Sequence, residues 1–238
     1  MLRRYDRYVD SVSGVGVVDK SAAILDALAT RGPLSLAELV DITAISRPTA
    51  HRLAVALGVH GLVGRDDDGR FRLGLRLLAW GTRAAAPEGL VERARPVLTR
   101  LRDESDESAQ LYVRDGDRRV CVATAERPTG LRDTVAIGAS LPLGAGSGGT
   151  VLLAWAVGSA DVPGRYEVVR ARGWAESVAE REVGVASVSA PVLDAAGVAV
   201  AAVSVSGPIE RLGRQPGGRL AGPVVAAARA LERAAGTR

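Results

Sequence analysis

Between Ser46 and Gly74 the residue pattern changes twice, and few folds accept that order of signals. Ser46 is an N-cap residue type and Pro48 stands just inside the start, where a missing N–H costs nothing, so a helix is expected to begin here. Ala50, Leu53, Ala54 and Leu57 follow at i, i+3, i+4 and i+7 as one apolar stripe, with Arg47, Thr49, His51 and Arg52 off it. Gly61 ends the helix. Leu62-Val63 and Phe71-Arg72-Leu73 then flank a turn in which Asp68-Gly69 is a hairpin signal. A helix followed by a hairpin and preceded by another helix is the outline of a winged helix-turn-helix. Ser46, Arg47, Thr49, His51 and Arg52 are then expected at base edges in a major groove, and Arg65, Arg70 and Arg72 on the wing at phosphates. The competing reading of these side chains is a solvated helix face. His51 either bonds a phosphate or packs on the preceding helix.

The flanking residues support that outline. Met1 to Ser13 is charged and aperiodic and reads as a flexible arm. Val17 to Thr30 repeats at helical spacing and stops at Gly32-Pro33, and Ser35-Leu-Ala-Glu38 is a capping box opening a second helix. Leu75, Leu78 and Ala79 predict a linker helix that ends at Pro87; Val91 to Ser105 is a further amphipathic helix. From Ser108 the period drops to 2. Ala109 to Val113 and Arg119 to Thr124 make a hairpin, Arg132 to Leu143 extends the sheet, and Thr150 to Val157 reads as a buried helix. Val183 to Val192 and Val198 to Ser206 make another hairpin, with Pro223 to Ala234 as closing helix. The expected domains are an arm over 1–13, a DNA-binding unit over 14–74, a linker helix over 75–89 and an α+β unit over 90–238.

Composition narrows the function classes. A chain of 238 residues that is 47% hydrophobic has room for two cores. Its single lysine is Lys20, so nearly all positive charge is arginine, whose planar fork suits phosphate and guanine. Cys121 is the one cysteine, which excludes an internal disulfide and favours a reducing compartment. With an N-terminus that lacks a signal-like apolar core and apolar runs far too short for a bilayer, a cytoplasmic location is expected, away from membranes.

Leu36-Ala-Glu-Leu39, a short turn, Ser46-Arg-Pro-Thr-Ala-His-Arg-Leu53, Gly61-Leu-Val63 and Arg72-Leu-Gly74 together resemble the N-terminal domain of the IclR family of bacterial transcriptional regulators. Where that family usually has glycine in the turn, this chain has Ala44. The resemblance extends over nearly the whole chain after residue 14. It implies a profilin-like or GAF-like C-terminal domain that binds a small effector, homo-oligomers (dimers or dimers of dimers), and operator DNA as partner. Glu107 to Tyr112, Gly130 to Val135, Arg172 to Ser177, Glu180 to Pro191 and Ala202 to Leu212 are similar to the actinobacterial branch that controls leucine biosynthesis and nitrogen or amino-acid metabolism. The stretch from Trp155 to Trp174 is short for the family. Family pockets use positions matching Asp133, Ser147, Gly148, Ser177, Ser187, Ser204 and Ser206. The resemblance thus implies a repressor whose effector is a small, acidic metabolite such as an amino acid or keto acid.

Gly144-Ala-Gly-Ser-Gly-Gly149 satisfies G-x-G-x-x-G, but no βαβ unit follows, which argues against a dinucleotide. Read otherwise, it is a ring of N–H groups at a helix start able to hold a carboxylate, or a turn with no ligand. Ser187, Ser189, Ser204 and Ser206 alternate along two strands, so each pair shares a face and either lines a pocket or meets water. Both histidines, His51 and His60, fall in the DNA-binding half, so Ser147 has no base and no metal-ligand set forms. No cofactor is expected. Two alternatives remain, an enzyme acting on a small acid through Asp133 or Glu176 and a metabolite sensor without DNA affinity.

Overall fold

A computed structural model describes residues 13–84, 89–156 and 165–235. The chain divides into two compact units, Met1–Ala84 and Ala85–Arg238. The expected arm falls almost wholly outside the described residues, as does the middle of the short Trp155 to Trp174 stretch.

In the first unit α1 (Gly16–Arg31), α2 (Leu36–Thr43) and α3 (Arg47–Val59) precede a hairpin of β1 (Val63–Arg65) and β2 (Phe71–Leu73). Ile24, Leu28, Leu39, Ala50, Ala54, Val63 and Phe71 form its core, so the stripe read along α3 is its buried side. The capping box is present, with Ser35 Oγ accepting from Glu38 N and Ser35 N donating to Glu38 Oε2 at 2.7 Å. Leu34 and Phe71 exchange backbone bonds of 2.7 and 2.8 Å, which ties the wing to the loop ahead of α2. Ala44 sits at φ 55° in the left-handed region, the conformation for which glycine is the usual residue. α4 (Arg76–Ala84) follows the wing.

The second unit is a six-stranded antiparallel sheet between two helical layers. β3 (Ser108–Asp115), β4 (Arg118–Ala125), β5 (Ser140–Pro142), β6 (Ala175–Val178), β7 (Val185–Leu193) and β8 (Ala199–Pro208) lie in the order β5-β4-β3-β8-β7-β6. α5 (Leu90–Ser105) and α9 (Gly217–Ala235) cover one face, where Leu98, Leu101, Leu111, Val188, Val203, Val205, Leu220, Val224 and Leu231 are buried. α6 (Ser147–Ala154) and α7 (Arg165–Arg172) cover the other, over Tyr112, Cys121, Ala175 and Ala202. Alternation explains the split, since Val188, Val203 and Val205 point one way and Ser187, Ser189, Ser204 and Ser206 the other. The short α8 (Ile209–Leu212) joins β8 to α9.

Several expectations are corrected. Arg132 to Leu143 contributes only Ser140–Pro142 to the sheet, because Gly130 and Gly138 adopt φ +75° and +87° and bend the chain out of register. The closing helix starts at Gly217 rather than at Pro223, which lies inside it. Leu220, Val224, Ala228 and Leu231 are buried along one face, and that packing outweighs the one bond a proline removes. The buried helix runs Ser147–Ala154 rather than Thr150 to Val157, with residue 157 outside the described residues. α7 and β6 carry patterns too short to have been expected. Among the described residues, no helix is long and apolar enough to cross a membrane.

Candidate functional site

At the start of α3 the side chains expected to meet DNA are accessible. Ser46, Arg47, His51 and Arg52 are exposed and Thr49 half-buried, while Ala50 and Ala54 beneath them are sealed. Ser46 does not cap α3 through its side chain. Its Oγ donates to Thr49 Oγ1 at 3.0 Å, and its carbonyl accepts from Ala50 N at 2.9 Å.

The wing arginines are engaged within the unit, which sequence spacing did not foretell. Arg70 donates to both Glu38 carboxylate oxygens at 3.0 and 3.1 Å and from Nε to the Pro33 carbonyl, so it braces the wing against the start of α2. Arg65 lies over the Phe71 ring at 4.3 Å and donates to the Gly69 carbonyl. Arg72 donates to the Arg65 and Leu73 carbonyls. Arg65 is exposed and Arg72 half-buried, so both retain surface beside these bonds.

In the second unit the predicted serines converge. Ser147, the first residue of α6, has its Oγ 2.6 Å from Ser187 Oγ and 2.7 Å from Ser189 Oγ; Ser177 Oγ is 2.9 Å from Ser187 Oγ, and Ser189 donates to Ser204 at 2.8 Å. Ser206 turns instead to Gln110 Oε1 at 3.2 Å. Apart from half-buried Ser187, these serines are buried, which overturns the reading in which they face water.

The loop before α6 wraps a cation that the sequence reading missed. Arg119 on β4 is buried, donates from Nη1 to the carbonyls of Pro142 and of Ala145 (2.6 Å), and lies over the Tyr112 ring. Burial pushes its guanidinium below the ordinary arginine range, and burial likewise raises the Tyr112 hydroxyl and pushes the Cys121 thiol up to about 12. Gly146 holds φ +84°, and a Cβ at Gly149 would stand 2.0 Å from the Leu143 carbonyl oxygen, so the turn admits no side chain there. Gly146 N donates to Glu180 Oε2 at 3.1 Å and Ser147 N to Ser177 Oγ at 3.1 Å, so acceptors already sit at the start of α6.

Asp133 is buried and takes Arg181 at 2.5 Å. Burial opposes the charge on Arg181, but the Asp133 carboxylate outweighs it and raises the guanidinium. Arg181 Cβ lies 3.7 Å from where a Gly146 Cβ would be, so this pair borders the serine cluster. Gly148 faces Tyr112 and Arg119. The predicted set is thus brought together, and Arg119, Gln110, Glu180 and Arg181 join it. Alternation offered a signal for two of them. Arg119 shares a strand face with Cys121, and Gln110 shares one with Tyr112.

The G-x-G-x-x-G run lies between β5 and α6 in an antiparallel sheet, not at the crossover of a parallel one. Among the described residues, no group of three or more His, Cys, Asp or Glu side chains is placed to hold a metal.

Comparison with known proteins agrees with this geometry. Residues 17–67 match the IclR helix-turn-helix domain, and residues 82–160 and 165–233 match the bacterial transcriptional regulator IclR C-terminal domain. The chain is 30% identical to the HTH-type transcriptional regulator BhcR of Paracoccus denitrificans, over 92% of this chain and 86% of that one. It is 32% identical to the glycerol operon regulatory protein of Streptomyces coelicolor, over 91% and 93%. The crystal structure of the Thermotoga maritima IclR superposes with a TM-score of 0.74 at 22% identity, over 93% of this chain and 99% of that one. An IclR homologue from Microbacterium hydrocarbonoxydans, complexed with 4-hydroxybenzoate, gives 0.71 at 20%, over 91% and 97%. From its helix-turn-helix through its C-terminal sheet, the chain belongs to the IclR family of bacterial transcriptional regulators.

Proposed function

We propose that this DNA-binding regulator reads its operator with Arg47, Thr49, His51 and Arg52 and releases or tightens that grip when a small acidic metabolite enters the serine cluster at the start of α6. The observation that carries the second half is the convergence of Ser147, Ser177, Ser187, Ser189 and Ser204 beside buried Arg119, hydroxyls that now bond one another and can instead bond a polar guest. That a homologue of the same fold is complexed with 4-hydroxybenzoate, a small carboxylate, supports the class of guest. The protein acts as a repressor in the cytoplasm, as the family resemblance implies. Amino-acid metabolism is the regulon we take from the runs between Glu107 and Leu212.

The active form is a homo-oligomer. Leu75, Leu78 and Trp80 around α4, with Val17 and Val18 on α1, expose apolar surface. Two-fold pairing also matches the symmetric half-sites that helix-turn-helix proteins use. Footprinting of the DNA upstream of the gene, with and without branched-chain amino acids and their keto acids, tests the reading. Protection that changes with one of them is the expected result, and protection indifferent to every small molecule tried contradicts it.

A further inference from the structure

We infer that Arg119 and Gln110 are the residues that select the effector, holding a monocarboxylate through Arg119 Nε and a second oxygen of the same molecule through Gln110 Nε2. This rests on the effector-site reading above and names its chemistry. Both nitrogens are buried with no hydrogen-bond partner, on residues 3% and 0% exposed. A buried N–H without a partner loses its bond to water and gains nothing for it, and native interiors keep few of them.

Neither nitrogen is free to turn toward a partner nearby. The Pro142 and Ala145 carbonyls fix the Arg119 guanidinium through Nη1, and Ser206 fixes the Gln110 amide through Oε1. What remains on each is a donor, so the missing component is an acceptor. A cationic ligand is excluded by the buried charge of Arg119, which donates to carbonyl oxygens; neighbouring Arg181 has Asp133 for its own charge.

The two donors share a floor. The Arg119 guanidinium lies 5.3 Å from the centre of the Tyr112 ring, and Gln110 precedes Tyr112 by two residues on the same face of β3, about 7 Å along the strand. Gln110 is also in register with Ser204 of the serine cluster. Above them stands Gly148, where a Cβ would come 3.6 Å from Arg119 Nε and 3.4 Å from Tyr112 Cδ2. The lack of a side chain there leaves space for about one methyl group beside the orphan N–H. An acid whose second oxygen stands several ångströms from its carboxylate, as the hydroxyl of 4-hydroxybenzoate does, is the kind that reaches both donors, with its charge on Arg119 and that oxygen on Gln110.

The test is titration calorimetry and thermal unfolding of the full chain with 2-oxoisovalerate and 4-hydroxybenzoate, each beside a neutral counterpart (the methyl ester and 4-hydroxybenzamide), and with glycerol. An acid should bind at least about tenfold tighter than its neutral counterpart and raise the unfolding temperature. Gly148→Ala adds a methyl in ordinary contact at a helical position, so the fold is kept while Arg119 Nε is covered; acid binding should weaken at least about tenfold. Arg119→Lys, which keeps the charge but not Nε, should do the same. A neutral counterpart that binds as well as its acid, glycerol binding in preference to both, or Gly148→Ala binding acid like the parent overturns this inference and leaves the effector site standing. Absence of binding by every probe overturns both.

Discussion

Ala44 carries the N-terminal unit's clearest local strain. It closes α2 at φ 55°, where an L side chain crowds its own backbone. Its N–H still donates to the Val40 carbonyl at 2.9 Å, so the turn keeps its bonding and bears only the steric cost. Ala44→Gly removes that cost and adds back some chain entropy to the unfolded state, for a net gain of roughly 0.5–1 kcal/mol. Slower hydrogen exchange of the α2 and α3 amides is the expected result, and unchanged exchange argues that the turn relaxes in solution. Expecting a strained turn here required only the missing glycine. Arg119 shows the opposite case, because an arginine in an alternating strand reads as surface until the loop that wraps it is known.

Among elements, the capped start of α2 and the wing act as one piece through Glu38. Its carboxylate accepts from Ser35 N and from Arg70, and the Ser35 bond, followed by the Arg70 charge, holds it below the ordinary carboxylate range of 4.5. A carboxylate lowered on folding adds stability that is complete above pH 4.5 and disappears as pH falls through the folded value. Amides of α2's first turn and of β2 should therefore lose protection together below pH 4.5 in the parent, and Glu38→Gln should flatten that dependence. Separate titration of the two segments would contradict the coupling. The helices α1, α2 and α3, the Asp68-Gly69 hairpin and the capping box were legible because each is a local signal. The start of α9 was not, because buried Leu220 and Val224 keep Pro223 helical, and tertiary packing of that kind leaves no mark at the proline itself. Nor was the irregular path from residue 126 to 139, whose alternation suits a strand but whose Asp133 is drawn inward by Arg181. The serines were visible as a pattern. Their burial depended on which sheet face α6 covers.

For the whole molecule, two compact units share one covalent connection, the chain between α4 and α5, along which an effect of a ligand on DNA binding can be carried. Leu78→Glu in α4 places a charge on an exposed apolar side chain, which leaves the monomer's core intact. Sedimentation should show smaller species and operator affinity should fall by more than tenfold, since half-sites then bind singly. An unchanged sedimentation coefficient would move the interface elsewhere. Whether the first turn of α3 meets base edges is read from operator affinity of the Arg47→Ala, Arg52→Ala double variant at fixed salt, beside the salt dependence of the parent. The double variant should bind at least about tenfold more weakly, at roughly 1–3 kcal/mol for each base-edge contact, with discrimination between operator and unrelated DNA reduced. Affinity and discrimination equal to the parent's would contradict base-edge contact by this turn.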